Sequence, residues 1–244
     1  MRGSNEQGGS FDKVLVKPSP NRLYGRRRGH CLRTRQKRLL DETLPRIRLS
    51  LEQIGDVDSL FYRKPQQIWF EVGFGGGEHV LGQIAQNPHV GYIASEFFRD
   101  GICSLLGRLA PLGKEATAPL PDMLRLWDDD ARQVLTALPE AVLDRVFLMF
   151  PDPWPKARHT KRRFIHPQNV ALVARVLRSG GVWQVASDDP VYQCWVQEVM
   201  AHQSYFNVSE PQTIRPDEGW IPTRYESKAI TAGRQPLYWT FIRR

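Results

Sequence analysis

Residues 68–78 read IWFEVGFGGGE, from Ile68 to Glu78. Ile68–Val72 reads as the first convincing strand of the chain and runs directly into the glycines. The glycines behind it permit a tight turn and a close approach of backbone to a ligand. A helical stretch begins near Glu78. Strand, glycine turn and helix together open a nucleotide-binding α/β fold. The spacing narrows the ligand. A dinucleotide fingerprint reads GxGxxG, but after Gly73 and Gly75 the third position is Glu78. The pattern here is Glu71-x-Gly73-x-Gly75-x-Gly77. An acid two residues before the first glycine suits a cofactor that carries positive charge and no pyrophosphate. S-adenosylmethionine, with its sulfonium and ammonium, fits. The bland alternative is a glycine turn without a ligand.

Further along, Val90–Ser95 reads as the second strand and ends at Glu96, 25 positions after Glu71. An acid there commonly accepts hydrogen bonds from ribose hydroxyls, and Phe97 or Phe98 could wall an adenine. Asp100–Leu112 reads as a helix and Lys114–Pro121 as a surface loop. Met123–Trp127 is a third strand, running into Asp128, Asp129 and Asp130. One of these acids could meet the adenine amino group, or they cap the helix Ala131–Leu138, and both roles can coexist. Pro167–Leu177 reads as an amphipathic helix closed by Ser179-Gly180-Gly181. Val182–Ala186 is the next strand, ending at Ser187-Asp188-Asp189-Pro190. Val191–His202 is helical, and Leu237–Ile242 is a final strand preceded by a polar loop holding Thr223–Glu226. Alternating strands and helices imply an α/β doubly wound sheet.

The segment Arg145–Ile165, RVFLMFPDPWPKARHTKRRFI, carries the chemistry. Val146–Phe150 is apolar and reads as a central strand. Pro151 and Pro153 then bracket Asp152, which places this acid in the turn past the strand's carboxyl end, where open α/β sheets bind ligands. Lys156, Arg158, Lys161, Arg162 and Arg163 follow within eight residues. Trp154 either stacks on a base or packs beneath the turn.

The chain has 244 residues and a net charge of +8, and its basic residues are clustered. Ten Lys or Arg lie between Arg22 and Arg48, and five between Lys156 and Arg163. Clustering of this kind favours a polyanion such as nucleic acid. No basic amphipathic helix argues for a membrane surface, and no apolar run approaches the ~18–20 residues of a span. The first residues, MRGSNEQGGS, lack the apolar core of a signal peptide. Three dispersed cysteines, Cys31, Cys103 and Cys194, suggest a reducing cytoplasm and no metal site. Residues 1–20 are Gly/Ser/Pro-rich and expected to be disordered. Residues 21–64 read as a basic arm, LYGRRRG, with a short helix through Leu39, Leu40 and Leu44 that stops before Pro45, then a linker or capping segment, Ile47–Tyr62. Residues 65–244 form the α/β domain.

FPDPWPKARHTKRR, with the glycine turn, the LYGRRRG arm and the terminal TRYE in matching order, resembles the bacterial-type tRNA (guanine-N7-)-methyltransferases. The likeness runs from about Arg22 to the C-terminus. It implies a class I methyltransferase (Rossmann-like) fold, mostly parallel with a last antiparallel strand, and S-adenosylmethionine as cofactor. It implies methylation of N7 of a variable-loop guanine, position 46, in tRNA, without an obligate protein partner, by a monomer or homodimer. In that family's pattern Glu71, with Gly73, Gly75 and Gly77, forms the cofactor loop. Glu96 lies at the ribose, Asp130 takes the third cofactor position, and Asp152 is the proposed catalytic acid at the cofactor's edge. Lys156, Asp188 and Thr223, Arg224, Tyr225 and Glu226 match substrate-contact positions, and Arg158–Arg163 the RNA-contacting loop. The rival readings are a methyltransferase for another nitrogen in a different nucleic acid or protein, a non-catalytic RNA-binding protein on the same scaffold, and a nicotinamide-dependent dehydrogenase, which Glu78 disfavours.

Overall fold

The structure, a computed structural model, describes Tyr24, Arg27, Gly29 and residues 31–215 and 220–244. The expected disordered tail and Arg26 and Arg28 of the basic arm lie outside the described residues. Seven strands form one sheet: β1 Gln67–Val72, β2 Val90–Ser95, β3 Leu124–Trp127, β4 Leu143–Met149, β5 Leu177–Ser187, β6 Phe206–Val208 and β7 Leu237–Arg243. Their order across the sheet is β3-β2-β1-β4-β5-β7-β6. The first five are mutually parallel, while β7 runs antiparallel to both β5 and β6. Among the described residues, α1 Thr34–Arg38 precedes the sheet, and α2 Glu78–Gln86, α3 Arg99–Leu109, α4 Ala131–Ala137, α5 Pro167–Val176, α6 Pro190–Ala201 and α7 Arg224–Thr231 connect its strands. None of the described helices is long and apolar enough to cross a membrane.

Strand alternation sets the two core layers. Ile68, Phe70 and Val72 of β1 and Val146 and Leu148 of β4 face Val134, Val170, Val173 and Val196 of α4, α5 and α6. Trp69, Tyr92, Phe147 and Met149 face Val80, Ile102, Leu105 and Leu106 of α2 and α3. Both faces are covered by helices, which is why Val146–Met149 of β4 is apolar throughout and β1 is apolar but for Gln67 and Glu71. Burying each such side chain contributes about 1.5–3 kcal/mol.

The chain winds outward from β1 through β2 to β3, then returns to place β4 on the other side of β1. The switch in direction therefore falls between β1 and β4. Trp69, Phe70 and Glu71 pair with Arg145, Val146 and Phe147. The glycine turn after β1 and the Pro151–Trp154 turn after β4 thus leave adjacent strands on the same edge, and they flank one crevice.

Several expectations are corrected. Helix α5 ends at Val176, with Leu177 already extended. Ser179-Gly180-Gly181 is not a helix cap but a bulge in β5, between the Leu143–Leu177 and Arg145–Val182 pairs, and Gly180 takes a φ of 76° there. The helical turns after α1 do not stop before Pro45. They run as Leu39–Thr43 and Leu44–Arg46, with Pro45 in the first positions of the last turn, where no backbone N–H is needed. Of the two readings of Ile47–Tyr62, linker or capping segment, the second holds: Leu49 N–H donates to Leu126 (2.7 Å) and Leu126 N–H to Ile47 (2.8 Å), covering the outer edge of β3. The 114–121 segment is a surface loop as expected, but it is anchored at two buried residues, Glu115 and Ala118. Its Glu115, 3% exposed, pairs with Arg35 (3.5 Å) and Arg38 (3.4 Å), and its carbonyl accepts from Thr43 Oγ1 at 2.7 Å. Strand β6, three residues at the sheet's edge, carries too short a pattern to be read from sequence.

Candidate active site

The glycine turn is built from left-handed backbone, with φ of 72° at Gly73, 57° at Gly75 and 82° at Gly77. A side chain at Gly75 would also meet the Tyr225 ring at 2.9 Å. Gly101 in α3 lies so close that a Cβ would collide with the Gly75 carbonyl. Close approach, not a turn, requires that glycine.

Glu96 braces the turn. Its Oε2 accepts the Gly75 N–H at 2.7 Å, and its Oε1 accepts the N–H groups of Phe97 and Phe98, both at 2.8 Å. Burial raises its pKa, three backbone donors oppose that rise, and the negative charge of Asp152 adds to it. Glu71 is 1% exposed on β1, where its Oε2 accepts from the Tyr92 hydroxyl at 2.6 Å and lies 2.8 Å from His79 Nδ1.

The three consecutive acids after β3 are all engaged. Asp130 caps α4 by accepting from Arg132 N–H at 3.0 Å, and it also binds the Arg132 guanidinium. Asp129 lies 3.8 Å from Arg27, whose guanidinium sits over the Phe97 ring at 5.4 Å. Asp128 pairs with Arg48 at 2.7 Å. The helix-cap role is therefore visible for Asp130.

The turn after β4 departs from relaxed geometry. Phe150 and Trp154, both non-glycine, have φ of 51° and 43°. Each such residue stores on the order of 1–3 kcal/mol and persists only where its surroundings impose it. Here Phe150 N–H donates to Ala186 at 2.8 Å, and the Arg163 guanidinium donates to the carbonyls of Pro153 (3.0 Å) and Trp154 (3.1 Å). Arg163 is 4% exposed and also lies over the Trp195 ring at 5.0 Å. It clamps the turn and does not face solvent. Asp152 stands open at the tip of the turn, and partial desolvation raises its pKa. Lys156, Arg158 and Lys161 are exposed around the following short helical turn, Ala157–Arg162. Arg162 lies 4.8 Å from the ring centroids of both Trp154 and Tyr24.

The last wall comes from the chain's return. Because β7 is antiparallel to β5, the segment before it crosses the carboxyl edge of the sheet. Thr223–Glu226 is not a loop. Thr223 Oγ1 accepts from Glu226 N–H at 3.0 Å and caps α7. Tyr225 faces the glycine turn, and its hydroxyl pKa is raised by burial first, then by Glu96 and Asp152, with Arg224 opposing. Glu226 is turned inward, fully buried, with its oxygens accepting from Arg215, Trp220 and Tyr238. Asp188 pairs with Arg234 at 2.6 Å, while its neighbour Asp189 caps α6.

The crevice between β1 and β4 thus gathers Glu96, Asp152 and Tyr225 around three glycines. A family model described as "Putative methyltransferase" matches residues 65–238. A tRNA (guanine-N(7)-)-methyltransferase of Granulibacter bethesdensis is 59% identical over 95% of this chain and 99% of its own length. One from Rhodospirillum rubrum is 45% identical over 91% and 88%. The chain belongs to the tRNA (guanine-N(7)-)-methyltransferase family. Among solved structures, an antibiotic-related methyltransferase matches with a TM-score of 0.54 at 10% identity, over 80% of this chain and 95% of that one. The 16S rRNA methyltransferase KamB matches with a TM-score of 0.52 at 15% identity, over 74% and 89%. At these identities the likeness is one of fold. Within this family member, Gly101, His79, Tyr92 and Trp220 support the site and were not singled out by sequence. Only His79 offered a signal: in strand β1 Glu71 shares its face with Trp69, toward α2, where His79 sits in the first turn.

Proposed function

We propose that this chain transfers the methyl group of S-adenosylmethionine to N7 of a variable-loop guanine, position 46, in tRNA, and does so without an obligate protein partner. One observation carries the reading: the sheet's switch point sets the glycine turn and Asp152 on opposite sides of a single crevice. The residues present fit the cofactor. The turn offers bare backbone at three left-handed glycines, and Glu71 and Glu96 lie at either end of it. Carboxylates there favour a cationic ligand and would repel a pyrophosphate.

S-adenosylmethionine, when bound, supplies an electrophilic methyl carbon on a sulfonium. Guanine N7 already carries an in-plane lone pair, so no proton needs to be removed before attack. The protein's tasks are then alignment and charge stabilisation. Asp152 is placed to accept the guanine N1–H and amino hydrogens and to face the positive charge that moves onto the purine. Tyr225 closes the crevice from above the glycine turn. Lys156, Arg158 and Lys161 bind phosphates, and Arg162 with Trp154 offers a flat cationic and aromatic surface for a base. Arg163 holds the turn that carries them.

The first experiment incubates the protein with S-adenosylmethionine and unmodified tRNA, then identifies the methylated nucleoside by mass spectrometry. N7-methylguanosine from the variable loop is the expected product, and any other methylated base moves the substrate elsewhere. For the phosphate role, Arg158→Ala should weaken tRNA binding regardless of sequence. It should also reduce the slope of log affinity against log salt by about 0.7–0.9. An unchanged slope removes Arg158 from the interface.

A further inference from the structure

A line of polar side chains is sealed between the sheet and α2. Glu71, His79, Gln83 and Tyr92 are 1, 1, 8 and 0% exposed. Asn87, at the end of α2, places Nδ2 2.9 Å from the Gln83 carbonyl oxygen and 3.2 Å from Gln83 Oε1. Gln83 Nε2 lies 3.1 Å from His79 Nε2, and His79 Nδ1 lies 2.8 Å from Glu71 Oε2. The Tyr92 hydroxyl meets the same Oε2 at 2.6 Å.

The direction of every bond follows from the first. A backbone carbonyl only accepts, so Asn87 presents its NH2 group. That group faces Gln83 Oε1, which leaves the Gln83 NH2 pointing at His79. An amide NH2 only donates, so His79 Nε2 must offer its lone pair. The ring's single proton is then on Nδ1 and is donated to Glu71. Tyr92 donates to the same oxygen. Two donors on one oxygen hold Glu71 as an acceptor in a fixed rotamer, the form a cationic ligand requires. Phe147, edge-on to the imidazole at 4.8 Å, and Trp220 at 6.3 Å fix the ring itself.

We propose that His79, neutral and protonated on Nδ1, is a positioning residue that orients the Glu71 carboxylate toward the ammonium and sulfonium end of S-adenosylmethionine. His79 touches neither cofactor nor substrate. The proposal rests on the reading that Glu71 faces that end, and the test separates the two. The chain from Asn87 to Glu71 is the equivalent of the outer partners that set a metal-binding histidine, with a carboxylate as the group being aimed.

The probes are S-adenosylmethionine and 5′-methylthioadenosine, which shares the nucleoside but lacks the amino-acid end and the charge. The ratio of their dissociation constants, measured by calorimetry, reports the charged end alone and is insensitive to general loosening. His79→Leu should cut the preference for S-adenosylmethionine by about 10-fold, because it removes a hydrogen bond to a charged group. His79→Asn keeps an N–H near the Nδ1 position and should restore the preference to within about threefold. Equal losses in both variants, or no loss in either, overturn the role of His79. Glu71→Gln serves as the control. If it leaves the ratio unchanged, the placement of Glu71 fails, and this proposal with it. If it lowers the ratio while His79→Leu does not, only the proposal for His79 fails. The imidazole 15N spectrum of the unmodified protein gives an answer that needs no variant to fold: a proton on Nδ1 is expected, and a proton on Nε2 overturns the assignment.

Discussion

Asp152→Asn should lower turnover by about 100-fold or more and leave S-adenosylmethionine affinity within about threefold, since removing one preorganised electrostatic partner typically costs on the order of 3 kcal/mol of barrier. The asparagine keeps the size of the side chain and can still accept one hydrogen bond from guanine. It loses the charge that faces the purine as positive charge develops there. Single-turnover kinetics with saturating cofactor measures the effect directly. A variant with native turnover removes Asp152 from the reaction.

The pH dependence adds an independent check. Partial desolvation raises the Asp152 pKa above its usual 3.8. The working form is the carboxylate, so kcat/KM falls as pH drops through that raised value, and Asp152→Asn should lack this acidic limb. The sign for stability is the reverse. A carboxyl whose folded pKa exceeds its unfolded one binds its proton more tightly when folded, so it loses stability as pH rises between the two values. Above both, the charge at Asp152 is a net cost to the fold. Asp152→Asn should therefore melt no lower than the parent at neutral pH while its turnover collapses. Glu96 shares this burden, being raised by burial and by Asp152 itself. Glu96, the more deeply held of the two, is relieved when a cation enters the crevice, which ties cofactor binding to its charge.

The parts of this arrangement that local pattern dictates are legible in the sequence. Ile68–Val72 and Val90–Ser95 are short, mostly apolar segments with abrupt ends, and the strands β1 and β2 match them to within a residue. The positions of Glu96 and Asp152 follow from strand ends, so both acids were found at the correct edge. What failed was decided by contacts across the fold. The Ser179–Gly181 triplet has the composition of a helix cap, but Leu177 pairs with Leu143 of β4, so the helix ends at Val176 and the triplet falls inside a strand. Arg163 sits in a run of cations and reads as one more phosphate ligand. Only the strained turn at Trp154, with two carbonyls turned toward Arg163, shows where that guanidinium is used. Gly101 has no sequence signature, since its requirement is the carbonyl of a glycine 26 positions away.

Glu226 presents the same contrast with a larger consequence. Resemblance places it among substrate contacts, yet its Oε1 accepts from Arg215 at 2.6 Å and the Tyr238 hydroxyl at 2.7 Å, and its Oε2 from Trp220 Nε1 at 2.9 Å. It is 0% exposed and stands at the third position of α7. Removing it by Glu226→Leu leaves the buried phenol of Tyr238 and the half-buried indole of Trp220 without their acceptor. Arg215, 44% exposed, can turn to water and contributes less. The expected loss is on the order of 3 kcal/mol, or roughly 6–12 °C in Tm for a domain of this size. Activity should fall with it. α7 carries the Glu226 hub in its first turn and holds Tyr225 against Gly75, and a shift of about 1 Å in such a group can cost 100-fold in rate. Glu226→Gln, which keeps one acceptor, should lie between parent and Leu on both measures. Parallel loss of melting temperature and kcat/KM across the two variants identifies a hub that positions Tyr225. A Glu226→Gln protein that melts like the parent yet has lost its turnover would instead mean that the carboxylate leaves its buried partners and meets the guanine during the reaction.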